Sequence, residues 1–158
     1  MKTATTLQEA PRIDGTKVAV LRSSMYAEIV DAMATKCVSA LKGLGCDSVA
    51  QHELPGCLEM PLAAQDLLDQ PTPPDAIVCL GVILKGDTLH FEMISYEVMR
   101  GLGALALQAR TPIIVEVLSV FKIEDALDRS GNDDFNKGLE AAVATARFID
   151  WRRQLTTA

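Results

Sequence analysis

At 158 residues and 49% apolar content the chain is sized for one core, read as a short arm over residues 1–15 and a single domain over residues 16–158. Its net charge of −6, with no run of Lys or Arg, argues against a phosphate-backbone partner such as DNA or RNA. No window approaches about eighteen uninterrupted apolar residues, and residues 1–15 are too polar for a signal peptide's apolar region, so the chain is expected to be soluble and cytoplasmic with no membrane partner.

In chain order, KVAVLR (17–22) predicts a first strand, after which Val30, Met33, Cys37, Leu41 and Leu44 recur at helical spacing until Gly43 and Gly45 supply a stop. SVAQHEL (48–54) reads as a second strand broken by Pro55-Gly56. Met60, Ala63, Ala64, Leu67 and Leu68 then mark a helix whose Pro61 fits a first turn, and the polar QPTPPD (70–75) closes it. AIVCLGVI (76–83) is apolar without alternation, as a strand covered on both faces should be. Phe91, Ile94, Val98, Leu102 and Leu105 follow on one helical stripe up to Thr111-Pro112. PIIVEVLS (112–119) predicts a fourth strand, with a short helix near 122–129 and a last one carrying Phe135, Leu139, Ala142, Ala146 and Ile149.

This β-α alternation implies a parallel four-stranded sheet with helices on both faces, and ligands held beyond the carboxyl ends of the strands. A GxGxxA match at Gly101–Ala106 falls inside a helix rather than between a strand and a helix, so it reads as close helix packing. The four cysteines, Cys37, Cys46, Cys57 and Cys79, form no CxxC pair and read as buried thiols, without disulfide or metal.

Three turns fall where the crevice should lie: Arg22–Tyr26, Pro55–Glu59 and Lys85–His90. Gly81, Gly86 and Thr88 are spaced almost as in a P-loop, but Asp87 stands where the phosphate-gripping lysine belongs, which argues against nucleoside triphosphate hydrolysis. Gly86 permits close backbone approach, Thr88 offers a hydroxyl, and the amides opening the next helix favour an anion. The bland alternative makes Thr88 a helix cap and Gly86 an ordinary turn residue. His90 lies within a turn of this loop, and an imidazole there suits a general acid or base. Residue chemistry alone therefore leads to an anion pocket with a proton shuttle.

Taken together, these segments resemble the 6,7-dimethyl-8-ribityllumazine synthase family. The resemblance runs from about Val18 to Phe148, through Pro55-Gly56-x-x-Glu59-x-Pro61, Gly81–Glu92, Ala126-x-x-Arg129 and Asn136-Lys137-Gly138. It implies a flavodoxin-like three-layer fold, pentamers with the active site between subunits, and in some members a sixty-subunit shell. The implied reaction condenses 5-amino-6-ribitylaminouracil with 3,4-dihydroxy-2-butanone 4-phosphate, without metal or organic cofactor. By the same resemblance Gly86, Asp87 and Thr88 belong to the loop receiving the phosphate, and Arg129 reaches in from a neighbouring subunit. His90 transfers protons, Glu59 holds the ribityl hydroxyls, and Lys137 lines the shared pocket. Arg129, Lys137 and Glu59 each have a plainer reading as charges at helix ends.

The sequence departs from the family at positions expected to touch the pyrimidine. Met25 stands where an aromatic usually stacks, Leu58 replaces another aromatic, and Val115-Glu116 replaces a Phe-Gly pair. Lost stacking is worth roughly 1–3 kcal/mol, although Met25 retains a polarizable surface and Tyr26 is one residue away. Glu116 reads either as a new hydrogen-bond acceptor for the ligand or as an outward-facing strand residue. Two further functions stay open on this scaffold: an enzyme for a different amine, and a non-enzymatic lumazine-binding, flavin-binding or shell protein.

Overall fold

The computed structural model describes residues 4–157. Strands β1 (Lys17–Ser23), β2 (Ser48–Leu54), β3 (Ala76–Leu84) and β4 (Ile113–Val120) alternate with helices α1 (Ala27–Gly43), α2 (Met60–Leu68) and α3 (His90–Ala109). Two further helices, α4 (Ile123–Leu127) and α5 (Lys137–Thr157), follow β4. Every strand pair is parallel and the order is β2-β1-β3-β4, so the three-layer α/β architecture expected from the alternation is the one formed.

Alternate strand residues feed the two sides of the sheet. Val18 and Val20 of β1, Val78, Leu80 and Val82 of β3, and Leu118 and Val120 of β4 pack against α1 and α5. Ala19, Leu21, Ile77 and Cys79 pack against α2 and α3. The continuous apolar run of β3 follows from its central place, since all of its residues except the last are buried. Edge strand β2 is partly exposed throughout and carries the polar residues Gln51, His52 and Glu53.

Two glycines set how closely layers approach. A Cβ on Gly138 would sit 1.9 Å from the Met33 carbonyl oxygen, so α5 starts almost in backbone contact with α1. A Cβ on Gly81 would meet the Cys57 sulfur at 2.4 Å, which lets the turn before α2 lie against β3. In the Gly101–Ala106 stretch, Gly101 packs against Pro61 of α2 with a would-be Cβ contact of 3.0 Å, in keeping with helix packing; Gly103 faces open space.

The last helix begins later than the apolar stripe suggests. Phe135 lies in the turn before α5, not on its buried face. Asn136 is the reason: it is 1% exposed, donates to the carbonyls of Ser130 and Gly131, and accepts the Gly138 amide at 2.8 Å, as an N-terminal cap does. On the other side of the core, Ile13 is fully buried and donates its amide to the Leu44 carbonyl at 2.9 Å, fastening the chain before β1 to the end of α1.

The chain winds outward from β1 in two directions, to β2 on one side and to β3 and β4 on the other. That reversal opens a crevice at the carboxyl ends of β1 and β3.

Candidate active site

A cavity of about 470 Å³ occupies this crevice. Ser23, Met25 and Tyr26 line it from the end of β1, Pro55 to Glu59 from the turn before α2, Val82 to Leu84 from β3, and His90 and Ile94 from α3. All three turns singled out in the sequence thus reach one place, and Met25, Leu58, Glu59 and His90 share its wall.

Its rim is tied together by short-range bonds. The Ser24 amide donates to the Leu54 carbonyl at 2.8 Å and its hydroxyl to the Pro55 carbonyl at 3.2 Å, joining the exits of β1 and β2. The Met25 amide donates to the buried Ser23 hydroxyl at 3.1 Å. Tyr26 then adopts a left-handed backbone with φ 56° at the start of α1, where its carbonyl accepts the amides of Ile29 and Val30. Such a conformation in a bulky residue costs about 1–3 kcal/mol and marks sites held by their surroundings.

Cys57 also lines the cavity, but burial pushes its thiol up to about 11, so it is no nucleophile at neutral pH. All four cysteines are free and buried, as their spacing suggested, and burial holds Cys37 up at about 12. Glu59 turns its carboxylate back over Gly56, where a Cβ would lie 3.1 Å from Oε2. Among the described residues no group of three or more His, Cys, Asp or Glu is placed to hold a metal ion.

Gly86, Asp87 and Thr88 are exposed beside this cavity, between β3 and the start of α3. Thr88 is not the cap of α3. Leu89 holds that position without a side-chain bond, and the Thr88 hydroxyl only accepts the His90 amide at a long 3.4 Å. Lys85 does not offer its charge to the loop. It is ion-paired with Glu92 and lies over the Phe91 ring, 5.3 Å from its centroid.

The family model of 6,7-dimethyl-8-ribityllumazine synthase matches residues 15–153. The chain belongs to the 6,7-dimethyl-8-ribityllumazine synthase family. Membership indicates lumazine-synthase-type function, the work of a transferase in riboflavin biosynthesis. Among the described residues no helix is long and apolar enough to cross a membrane.

Besides Gly86, Asp87 and Thr88, three more of the residues expected in the pocket from the resemblance do not line the cavity of their own chain: Val115, Arg129 and Lys137. Val115 packs, partly buried, on the α3 side of edge strand β4. Arg129, just beyond α4, donates to the Asp125 carbonyl at 2.5 Å and lies 3.5 Å from the Asp125 carboxylate. Lys137, the first residue of α5, donates to Glu140 at 2.6 Å. One chain therefore holds His90 and the glycine loop at the mouth of β1 and β3, and the two cations on separate elements following β4.

Of the two sequence readings of Glu116, the outward-facing strand residue is not the one that forms. Strand alternation sets it on the face covered by α5, opposite Leu80 of β3, where it is partly buried and outside the cavity. Tyr26, Ser23 and Ile94 belong to the cavity wall although they were not singled out as site residues. Ile94 carries a legible signal, since it falls one helical turn after His90; the left-handed turn at Tyr26 does not.

A larger cavity of about 660 Å³ lies at the amino end of β4, between the last turns of α3 and α5. Leu107, Phe148, Trp151, Arg110 and Arg152 line it, and it contains neither a histidine nor a carboxylate. Size favours this one. The histidine, the strained turn and the strand ends all favour the smaller.

Proposed function

We propose that the protein is a lumazine synthase, condensing 5-amino-6-ribitylaminouracil with 3,4-dihydroxy-2-butanone 4-phosphate to 6,7-dimethyl-8-ribityllumazine, phosphate and two waters. The observation that carries the reading is His90, which opens into the crevice at the carboxyl ends of β1 and β3 beside the Gly86–Thr88 loop. The amine attacks the ketone carbon, and the resulting carbinolamine loses water to give an imine. Elimination of phosphate and ring closure with loss of a second water follow. His90 is the group in reach of these proton transfers. The amides of the loop and the Thr88 hydroxyl receive the phosphate as it leaves, and Glu59 takes the ribityl hydroxyls.

The missing cation comes from a second copy. Arg129 of an adjoining subunit supplies the charge that Asp87 cannot, with Lys137 and Val115 completing the wall from the same side. A pentamer, alone or built into a shell, fits the surface of α3. Leu89, Met93, Tyr96 and Leu107 fall on one helical face and are between 68% and 83% exposed, a stripe that water alone does not favour. The free, buried cysteines fit a reducing compartment such as the cytoplasm.

A second reading keeps the phosphate chemistry and changes the amine. It is favoured by the cavity wall, where among the described residues Tyr26 carries the only benzene-type ring and half-exposed Met25 and Leu58 offer no stacking plane.

Purified protein given both substrates should release lumazine and inorganic phosphate together. His90→Ala should lower kcat by about 10²-fold or more, as loss of a general acid or base does. Arg129→Ala should raise KM for the butanone phosphate about tenfold or more, on the scale of a lost charge-assisted bond. Phosphate released only with a different amine would favour the second reading, and bound lumazine without any turnover would overturn both.

A further inference from the structure

Lys85 and Glu92 stand on either side of the Gly86–Thr88 loop, the first just past β3 and the second in the first turn of α3. The Lys85 amide donates to the Val120 carbonyl at 2.8 Å, so its backbone is still fastened to β4 where the loop departs. Its ammonium then reaches across the loop. It is ion-paired with Glu92 Oε1 and lies 5.3 Å from the centroid of Phe91, which packs in turn on Phe121 with 5.8 Å between ring centroids. Between these two residues the loop has little else to hold it. Gly86, Asp87 and Thr88 are exposed, and among the described residues their one side-chain bond is the long contact from the His90 amide to the Thr88 hydroxyl. The second Glu92 oxygen, Oε2, is shielded from solvent and meets no donor among the described residues, and the hydrogen bond from Lys85 holds the carboxyl below its ordinary range.

We propose that Lys85 and Glu92 are positioning residues for the anion loop: their ion pair clamps the exit of β3 to the first turn of α3, and so fixes Gly86–Thr88 and His90 at the spacing a phosphorylated substrate meets. The inference rests on the reading above in which this loop receives the phosphate. The two partners stand seven positions apart, and opening the pair leaves the loop tethered by backbone alone. Charge by itself works the other way. A carboxylate in the same turn as His90 repels an anion, and by engaging the lysine next to Gly86 it also withdraws a cation from the loop. Glu92 therefore helps phosphate binding only through geometry, which gives its removal a sign that a through-space effect does not share.

The test is binding of inorganic phosphate to the intact assembly, read by phosphorus NMR, with hydrogen exchange of the amides of residues 86–90 followed on the same samples. Glu92→Gln should weaken phosphate binding about threefold or more, the size of one partly screened ion pair, and speed exchange in the loop while the rest of the chain exchanges as before. Lys85→Met, which keeps an apolar stem over Phe91, should do the same, and Lys85→Arg, which keeps the pair, should stay near wild type. With both substrates, KM for the butanone phosphate should rise in Glu92→Gln and Lys85→Met while KM for the amine holds. A Glu92→Gln protein that binds phosphate as tightly as wild type, or more tightly, would overturn the inference and leave Lys85 as a plain source of charge. Wild-type protein that binds no inorganic phosphate would overturn it as well. Phosphate binding needs no turnover, so the expected responses in a protein that makes no lumazine would count against the proposed function alone. Lumazine formation with an unaltered Glu92→Gln would count against the clamp alone.

Discussion

A partly buried carboxyl group with no hydrogen-bond donor among the described residues is costly to ionise, and Glu116 carries that cost. Its folded-state pKa, about 7, lies above the ordinary 4.5, so the native state binds this proton more tightly than the unfolded chain does. The group costs nothing below about pH 4.5. Between there and pH 7 the protein loses stability as the carboxylate forms, by on the order of 2–3 kcal/mol at the upper end. Glu116→Gln removes the charge, so it should gain up to that amount at pH 8 and nothing at pH 4.5, measured by urea unfolding at both. An equal effect at the two pH values would contradict this account of the site. The sequence could not place this side chain, because Ile114, Val115 and Val117 around it are apolar on both faces. Alternation becomes readable only once the register with Leu80 is known. His90 was readable for the opposite reason: a glycine loop and a helix start fix where it stands.

Among the elements, the contact between α1 and α5 admits a sharp check. Gly138→Ala drives a Cβ into the Met33 carbonyl, and backbone cannot yield as a flexible side chain can. The two helices must separate, at roughly 3 kcal/mol. Urea unfolding should show the lowered midpoint, while Gly43→Ala, which meets nothing within 4 Å, should change stability by less than about 1 kcal/mol. A silent Gly138→Ala would mean that the two helices do not meet as closely as described. Strand boundaries were legible wherever punctuation was strong. β2 is Ser48–Leu54, as read, because Pro55-Gly56 ends it, and Pro61 sits in the first turn of α2. Phe135 was misplaced because an apolar residue at helical spacing looks the same whether or not the backbone has begun to coil. The signal that decided it was polar, the Asn136 side chain satisfying two carbonyls and one amide. Nor did the sequence announce the positive φ of Tyr26, which depends on how the exits of β1 and β2 are tied together.

Over the molecule as a whole, the sheet order sets the residues of the proposed site on two separate parts of the chain. β1 and β3 meet at the reversal and carry the cavity, while β4 forms the edge, and the elements that follow it carry Arg129 and Lys137. Within one chain those cations are occupied by Asp125 and Glu140, partners that exposed pairs exchange at little cost. The apolar stripe on α3 gives the copies a reason to associate. Spacing and motif order made the family legible, but no sequence pattern shows which residues face a neighbour. The decisive experiment is complementation between two inactive variants, His90→Ala and Arg129→Ala, co-expressed and purified as mixed assemblies. If each pocket takes its imidazole from one chain and its guanidinium from the next, random mixing leaves about a quarter of the pockets intact. Lumazine synthesis should then return to about that fraction of the wild-type rate, far above either variant alone. Mixed assemblies no more active than the average of the two variants would contradict a site shared between subunits.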